Sequence, residues 1–272
     1  MAISTLDGYL GAAKQRVTWM KTGTRTLVAA MPYTVFDIAG NPGVGTLAIG
    51  NTANGIVPVK GNSGYPFIGT FSGNSGYLSK VEFGSSVPCC FDLYDRLFAV
   101  GAISYAAATT TLSAQPSYSS RVPLSNYGGL QVWIEVVTAF VTGTAWTCRI
   151  TYTDQDGNTG IAGVDLPTMA AAALPIGRMY QLPLAAGDGG IQKIESVIVT
   201  NGGTAMTVGT FNVMVLRPLW FGRVAVANGG DVHDLFKTGF PPLFDTSALY
   251  MILYADSTAV GLPDCTFQIA MG

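Results

Sequence analysis

Two runs of strict alternation constrain this chain more than any other feature. Leu130, Val132, Ile134 and Val136 alternate with Gln131, Trp133, Glu135 and Val137, and Trp146, Cys148, Ile150 and Tyr152 alternate with Thr147, Arg149, Thr151 and Thr153. A period of two with one apolar face is the mark of a strand lying on a core. The joint Thr142-Gly143-Thr144 is short and contains Gly, so the two runs are expected to pair as an antiparallel hairpin. The second run ends in Asp154-Gln155-Asp156-Gly157-Asn158, a turn that needs a positive φ and has the residues for it.

From Cys89 onward similar runs recur at regular spacing: Cys89–Val100, Ser104–Leu112, Arg178–Leu182, Ile191–Thr200, Thr210–Leu216, Leu249–Tyr254 and Cys265–Met271. Glycine- and proline-bearing turns separate them, among them Gly187-Asp188-Gly189-Gly190, Asn201-Gly202-Gly203 and Pro241-Pro242. Eight or nine strands without helical periodicity predict an all-β fold, an antiparallel β-sandwich of jelly-roll type, over residues 88–272.

Residues 1–87 read differently. Ser4 can cap a helix with Asp7 near its positive end, and Leu6, Leu10, Ala13, Val17 and Met20 recur at alternating spacings of four and three. A helix over 4–21 is expected, and its apolar stripe needs a surface to lie on. After it come short strand-like stretches, the turn Gly40-Asn41-Pro42-Gly43, and two copies of one pentapeptide, Gly61-Asn62-Ser63-Gly64-Tyr65 and Gly73-Asn74-Ser75-Gly76-Tyr77. These are read as similar turns delivering Tyr65 and Tyr77 to one shared surface, within an extended arm.

Composition bears on partners. Only 11% of the 272 residues are charged and the formal net charge is −2, against about 25% charged in ordinary domains. So few charges give a lone monomer little colloidal protection, and much of the exterior is expected to be covered by neighbours. The 14 Lys and Arg are scattered, whereas phosphate binding needs a cluster, so nucleic acid is not an expected partner. The longest charge-free run, between Arg96 and Arg121, is broken by Thr, Ser, Gln and Pro, so no membrane span is expected. The first residues lack a basic and then an apolar region, and no signal peptide is expected. Cys89, Cys90, Cys148 and Cys265 fit neither a zinc site nor a disulfide framework; free thiols in a reducing cytoplasm are expected.

No motif predicts catalysis, a cofactor or a metal. Asp154, Asp156, Asn158 and Asp165 resemble a calcium loop in spacing, but Thr159 stands where Gly is required and Asp165 where a bidentate Glu is, so a turn explains them better. The Gly-Asn-Ser-Gly copies resemble a protease serine between glycines, yet the single histidine, His233, follows both. His233 lies within Asp231-Val232-His233-Asp234, a plausible base without a partnered nucleophile, and reads as an interface or loop histidine. Trp133, on the polar phase of its strand, reads as an exposed aromatic for subunit contact or glycan. The candidate interface residues are thus Leu6, Leu10, Val17, Met20, Tyr65, Tyr77, Trp133 and His233.

Several segments, taken in order, resemble a family of uncharacterised structural proteins of tailed bacteriophages. They are Phe36-Asp-Ile-Ala-Gly-Asn-Pro-Gly43, Leu47-Ala-Ile-Gly-Asn-Thr-Ala-Asn-Gly55, Leu93-Tyr-Asp-Arg-Leu-Phe98, Gly177-Arg-Met-Tyr-Gln-Leu-Pro-Leu184, Phe211-Asn-Val-Met-Val-Leu-Arg-Pro-Leu219 and Gly230-Asp-Val-His-Asp-Leu235. The resemblance implies a virion component on or near the head and carries no catalytic residues. The expectation is a non-enzymatic capsid decoration (cement) protein, assembled in the host cytoplasm. It would bind the major capsid protein or other virion proteins through its N-terminal arm as a homo-oligomer, a trimer being favoured. The alternative is a tail or baseplate adhesin with a glycan-binding sandwich.

Overall fold

The computed structural model describes residues 3–50, 53–71, 76–106, 108–139, 146–166, 175–201 and 209–272. Among them the strands are β1 (Ala13–Lys21), β2 (Pro32–Thr34), β3 (Gly40–Asn41), β4 (Gly76–Ser85), β5 (Cys89–Ser104), β6 (Ala108–Thr111), β7 (Gln131–Thr138), β8 (Trp146–Asp154), β9 (Ile161–Ala162), β10 (Met179–Leu182), β11 (Ile191–Asn201), β12 (Thr210–Val224), β13 (Gly229–His233), β14 (Pro242–Leu243), β15 (Leu249–Ala255) and β16 (Asp264–Met271). Two short α-helices, α1 (Leu6–Gly11) and α2 (Leu235–Thr238), accompany them. The fold is all-β, and every strand pairing described is antiparallel.

The chain divides into two compact units. Unit 1 comprises Met1–Thr46, Val59–Asp95 and Leu219–Gly272; unit 2 comprises Leu47–Pro58 and Arg96–Pro218. This is not the expected split into an arm of 1–87 and a sandwich of 88–272. The residues expected to form an arm supply Val17, Trp19, Tyr33, Val35, Leu78, Val81 and Phe83 to the core of unit 1, where chain from both ends meets.

In unit 1 one sheet runs β13-β4-β16-β1-β3, with β14 also paired to β4. Residues 89–95 of β5 pair with β15, which pairs on its other edge with β2. Phe91, Leu93, Met251 and Leu253 meet Val17, Leu78, Phe267 and Ile269 in one core. In unit 2, β7 pairs with β10 and β12, while β11 pairs with β6 and β8, and β8 with β9.

The expected hairpin does not form. β7 and β8 lie in different sheets, and their alternating side chains, Val132, Ile134 and Val136 against Cys148, Ile150 and Tyr152, meet across the core of unit 2. A period of two fixes which face is buried; it does not say whether the next strand lies alongside or opposite. The joint at 142–144 lies outside the described residues.

The expected helix over 4–21 is the second correction. Thr5, not Ser4, caps α1, its Oγ1 accepting the Gly8 N–H at 3.1 Å, and the helix stops at Gly11 with Ala12 already extended. Beyond it Val17, Trp19 and Lys21 point inward while Arg16, Thr18 and Met20 point out. Two glycines weaken the helix, β-branched and aromatic residues favour the strand, and β16 offers eight paired positions from Ala13↔Met271 to Met20↔Asp264.

All four cysteines are free, with Cys89, Cys148 and Cys265 buried and Cys90 half-buried. Burial pushes the thiols of Cys148 and Cys265 far above their ordinary range and that of Cys89 up to about 12. Unfolded thiols ionise near 9, so above that pH the native state holds protons the unfolded chain has lost. Each such thiol then removes about 1.4 kcal/mol of stability per pH unit. Lys21 acts oppositely: burial lowers its ammonium to about 8 from 10.5, so it adds stability as pH rises through that window. Three thiols outweigh one amine. The unfolding midpoint in urea is expected to fall between pH 9 and 10.5, less steeply in Cys148→Ala and Cys265→Ala; a flat or rising midpoint would contradict the buried thiols.

Candidate functional site

Of the eight expected interface residues three are exposed, three are buried, and Tyr77 and His233 are half-buried. Leu6 and Leu10 are 61% and 64% exposed, and Met20 is exposed beside them in sequence. They stay exposed because α1 is anchored by another residue. The Tyr9 ring packs edge-on to Phe240 at 5.8 Å, and its hydroxyl donates to Gln268 Oε1 at 3.4 Å. Phe240 in turn stacks on Tyr77 at 4.7 Å, so half-buried Tyr77 belongs to this anchor. Further exposed apolar side chains of unit 1 are Phe236, at 86%, and Val232.

Val17, Tyr65 and Trp133 are buried, and none is available as a contact residue. Val17 is in the core of unit 1. Tyr65 packs on Phe36 at 4.7 Å, a different partner from that of Tyr77, so the two pentapeptides do not serve one surface; residues 73–75 of the second lie outside the described residues. Trp133, expected on an open face, is 4% exposed and its indole N–H donates to Gln131 Oε1 at 2.9 Å. The glycan-binding alternative therefore loses its binding residue.

β7 is covered on both faces. Beside Trp133, Glu135 is buried with its Oε2 accepting the Asn212 Nδ2–H at 2.7 Å and lying 3.5 Å from Arg96 Nη2. Asn212 also donates to Leu47 O at 2.7 Å. Charged residues at the polar phase of a strand read as solvent-facing, so this triad left no trace in the sequence.

His233, in β13, is engaged at both ring nitrogens. Nδ1 accepts the Trp220 indole N–H at 3.0 Å, and Nε2 lies 3.4 Å from Asp231 Oδ2, with Phe83 edge-on at 5.0 Å. The indole N–H thus occupies the Nδ1 lone pair, and Asp231 lies against the other nitrogen. The turn after β8 is closed by Asp154, whose Oδ1 accepts the N–H groups of Asp156 and Asn158 and whose Oδ2 accepts the Asn158 Nδ2–H; Asp165 pairs with Arg149 at 3.2 Å. Gly157 has the positive φ that this turn was expected to need. Among the described residues no group of three or more His, Cys, Asp or Glu is placed to hold a metal ion, and no helix is long and apolar enough to cross a membrane.

One site went unseen in the sequence. In unit 1 a cavity of about 470 Å³ opens where residues 88–92, 221–225 and 254–256 approach, lined by Cys90, Asp92, Phe221, Arg223, Tyr254 and Asp256 among others. Asp92 accepts hydrogen bonds from the hydroxyls of Tyr94 and Tyr254, and burial pushes its carboxyl up to about 6 despite them. Cys90 and Tyr254 face each other across β5 and β15. No local spacing announces a site whose residues lie on three distant strands.

No family model and no curated protein matches the chain. Among solved structures, similarity is found to the VP2 subviral particle of infectious bursal disease virus, with 9% identity and a TM-score of 0.21 over 96% of this chain and 80% of that one. A structure of the Gx strain of the same virus gives 10% and 0.19 over 95% and 80%. T=1 particles derived from the virus give 9% and 0.19 over 96% and 78%. Values this low carry no argument about what this chain does.

Proposed function

We propose that the protein is a structural component of a virion, a capsid decoration protein of a tailed bacteriophage that works by contact and performs no chemistry. One structural observation carries the reading: large apolar side chains, Leu6, Leu10 and Phe236, stand exposed on a chain with few charges to keep copies apart. The segments resembling bacteriophage structural proteins support it and supply the setting, a particle assembled in the host cytoplasm. The partners are copies of the same chain, as a trimer, and the major capsid protein. The N-terminus contributes Leu6 and Leu10 to this contact from a helix fixed to unit 1, not from a detachable arm.

The test uses heads lacking the protein. Wild-type protein is expected to co-sediment with them, and the double variant Leu6→Ser, Leu10→Ser to lose about a hundredfold in affinity. Burying a leucine contributes about 1.5–3 kcal/mol, and each 1.4 kcal/mol is about tenfold. Because both residues are exposed, the variant's unfolding midpoint stays near the wild-type value. Wild-type binding by the double variant would remove α1 from the contact. A wild-type protein that stays monomeric and ignores heads would overturn the function.

A further inference from the structure

The cavity beside Asp92 combines three features that the core and the exposed apolar residues of unit 1 leave unexplained. Its lining includes the apolar residues Ala30, Pro88, Phe221 and Val224. The same lining presents a carboxylate, Asp92, whose partners are two phenolic hydroxyls, with no Lys or Arg side chain among the described residues pairing with it. The cavity is also wide enough, at about 470 Å³, to take more than ordered water. We propose that it binds a primary ammonium group carried on an apolar stem about as long as a lysine side chain, with Asp92 as the counter-ion and Phe221 against the stem.

The electrostatics select that ligand over its alternatives. A carboxylate has about four acceptor positions; two phenols fill two of them and supply no charge. Burial outweighs those two donors, which is why the carboxyl is pushed up to about 6; what it lacks is a cation. Arg223 is in the lining, but it forms no ion pair with Asp92 among the described residues. With Asp92 ionised, two acidic groups, Asp92 and Asp256, face the single guanidinium of Arg223, a balance of −1. An anionic ligand would meet two carboxylates, and a purely apolar one would bury Asp92 without compensation.

The groups facing Asp92 are Tyr94 on its own strand and Tyr254 on β15, with Cys90, Arg223 and Asp256 in the rest of the lining. Neither tyrosine titrates near neutrality, since burial raises both hydroxyls. Amine binding therefore follows ionisation of Asp92 itself. Affinity is full above about pH 6 and falls about tenfold per unit well below it.

The probe is n-pentylamine, titrated into the full-length protein by calorimetry at pH 7.5 and pH 5, with n-pentanol as the uncharged counterpart. Pentylamine is expected to bind at least tenfold more tightly than pentanol at pH 7.5 and to lose most of that margin at pH 5. Asp92→Asn should abolish the difference between the two. Arg223→Ala, at an exposed residue whose loss spares the fold, should tighten pentylamine several-fold by removing a like charge, and it decides the matter even if Asp92→Asn fails to fold. Nα-acetyl-lysine methylamide separates the sources: binding like that of pentylamine assigns the cavity to a lysine delivered by a protein, weaker binding to a free amine. Equal binding of pentanol, no binding of pentylamine, or weaker pentylamine binding by Arg223→Ala would overturn the proposal.

Discussion

A chain lacking residues 1–22 will lose the fold of unit 1. β1 lies between β16 and β3 in its sheet, and removing it strips eight paired positions from β16. It also removes Val17 and Trp19 from the core, and with Lys21 the ammonium that donates to Ile38 O and Pro42 O, each at 3.0 Å. Truncating a buried Trp to Ala alone costs about 3–5 kcal/mol, and whole domains are stable by only about 5–15. Deletion of the strand therefore exceeds what the unit can lose, whereas Trp19→Ala leaves a weakened but folded protein. The measurement is near-ultraviolet circular dichroism with limited proteolysis: the truncated chain should be cut throughout unit 1 and show no native aromatic signal from it. A truncated protein with wild-type protection would mean that these residues are a detachable arm after all.

Glu135→Leu is the second large effect, expected to cost about 3–5 kcal/mol, because it leaves the Arg96 guanidinium buried without the carboxylate it faces. The replaced side chain is itself 0% exposed, and Asn212 loses the same acceptor. Arg96→Met in the same chain should recover most of the loss, since two apolar residues of similar volume need no desolvation of charge. Arg96 also carries a second duty, its carbonyl accepting the Arg121 Nη2–H, and a backbone acceptor survives the substitution. Urea unfolding of the two single variants and the double gives the coupling directly. Additive losses would show that Arg96 and Glu135 do not depend on one another. The triad also explains Gly101, where a Cβ would sit 2.3 Å from Asn212 Oδ1; even alanine there would push the network apart.

Much of the strand content was legible because period-two patterning is local. Ile191–Asn201, Leu249–Ala255 and Asp264–Met271 fall within a residue or two of where alternation and turn residues place them. The apolar phase of Cys148 was legible in the same way, as was the Asp154 turn. Residues 13–21 show the limit: a spacing of four and three and a spacing of two coexist there, and only the free edge of β16 selects the second. Trp133 and Glu135 failed for another reason. Both sit on the phase that reads as solvent-facing, and a strand covered on both sides cannot be told from a half-exposed one when its second face is polar.

By itself, then, the sequence determined that this is an all-β chain, where strands such as β11, β15 and β16 begin and end, and which face of these is apolar, since all three depend on neighbours two residues apart. Which strands lie together was decided only by the tertiary structure. A backbone ladder offers the same hydrogen bonds to any partner, and the choice is made by side chains packing between strands that can lie far apart in the sequence, as β1 and β16 do. That is how β7 and β8 came to face each other across a core instead of pairing, and how the N-terminal residues became an inner strand. It is also why the Asp92 cavity and the Arg96–Glu135–Asn212 triad, assembled from strands far apart in the chain, became visible only once the chain was folded.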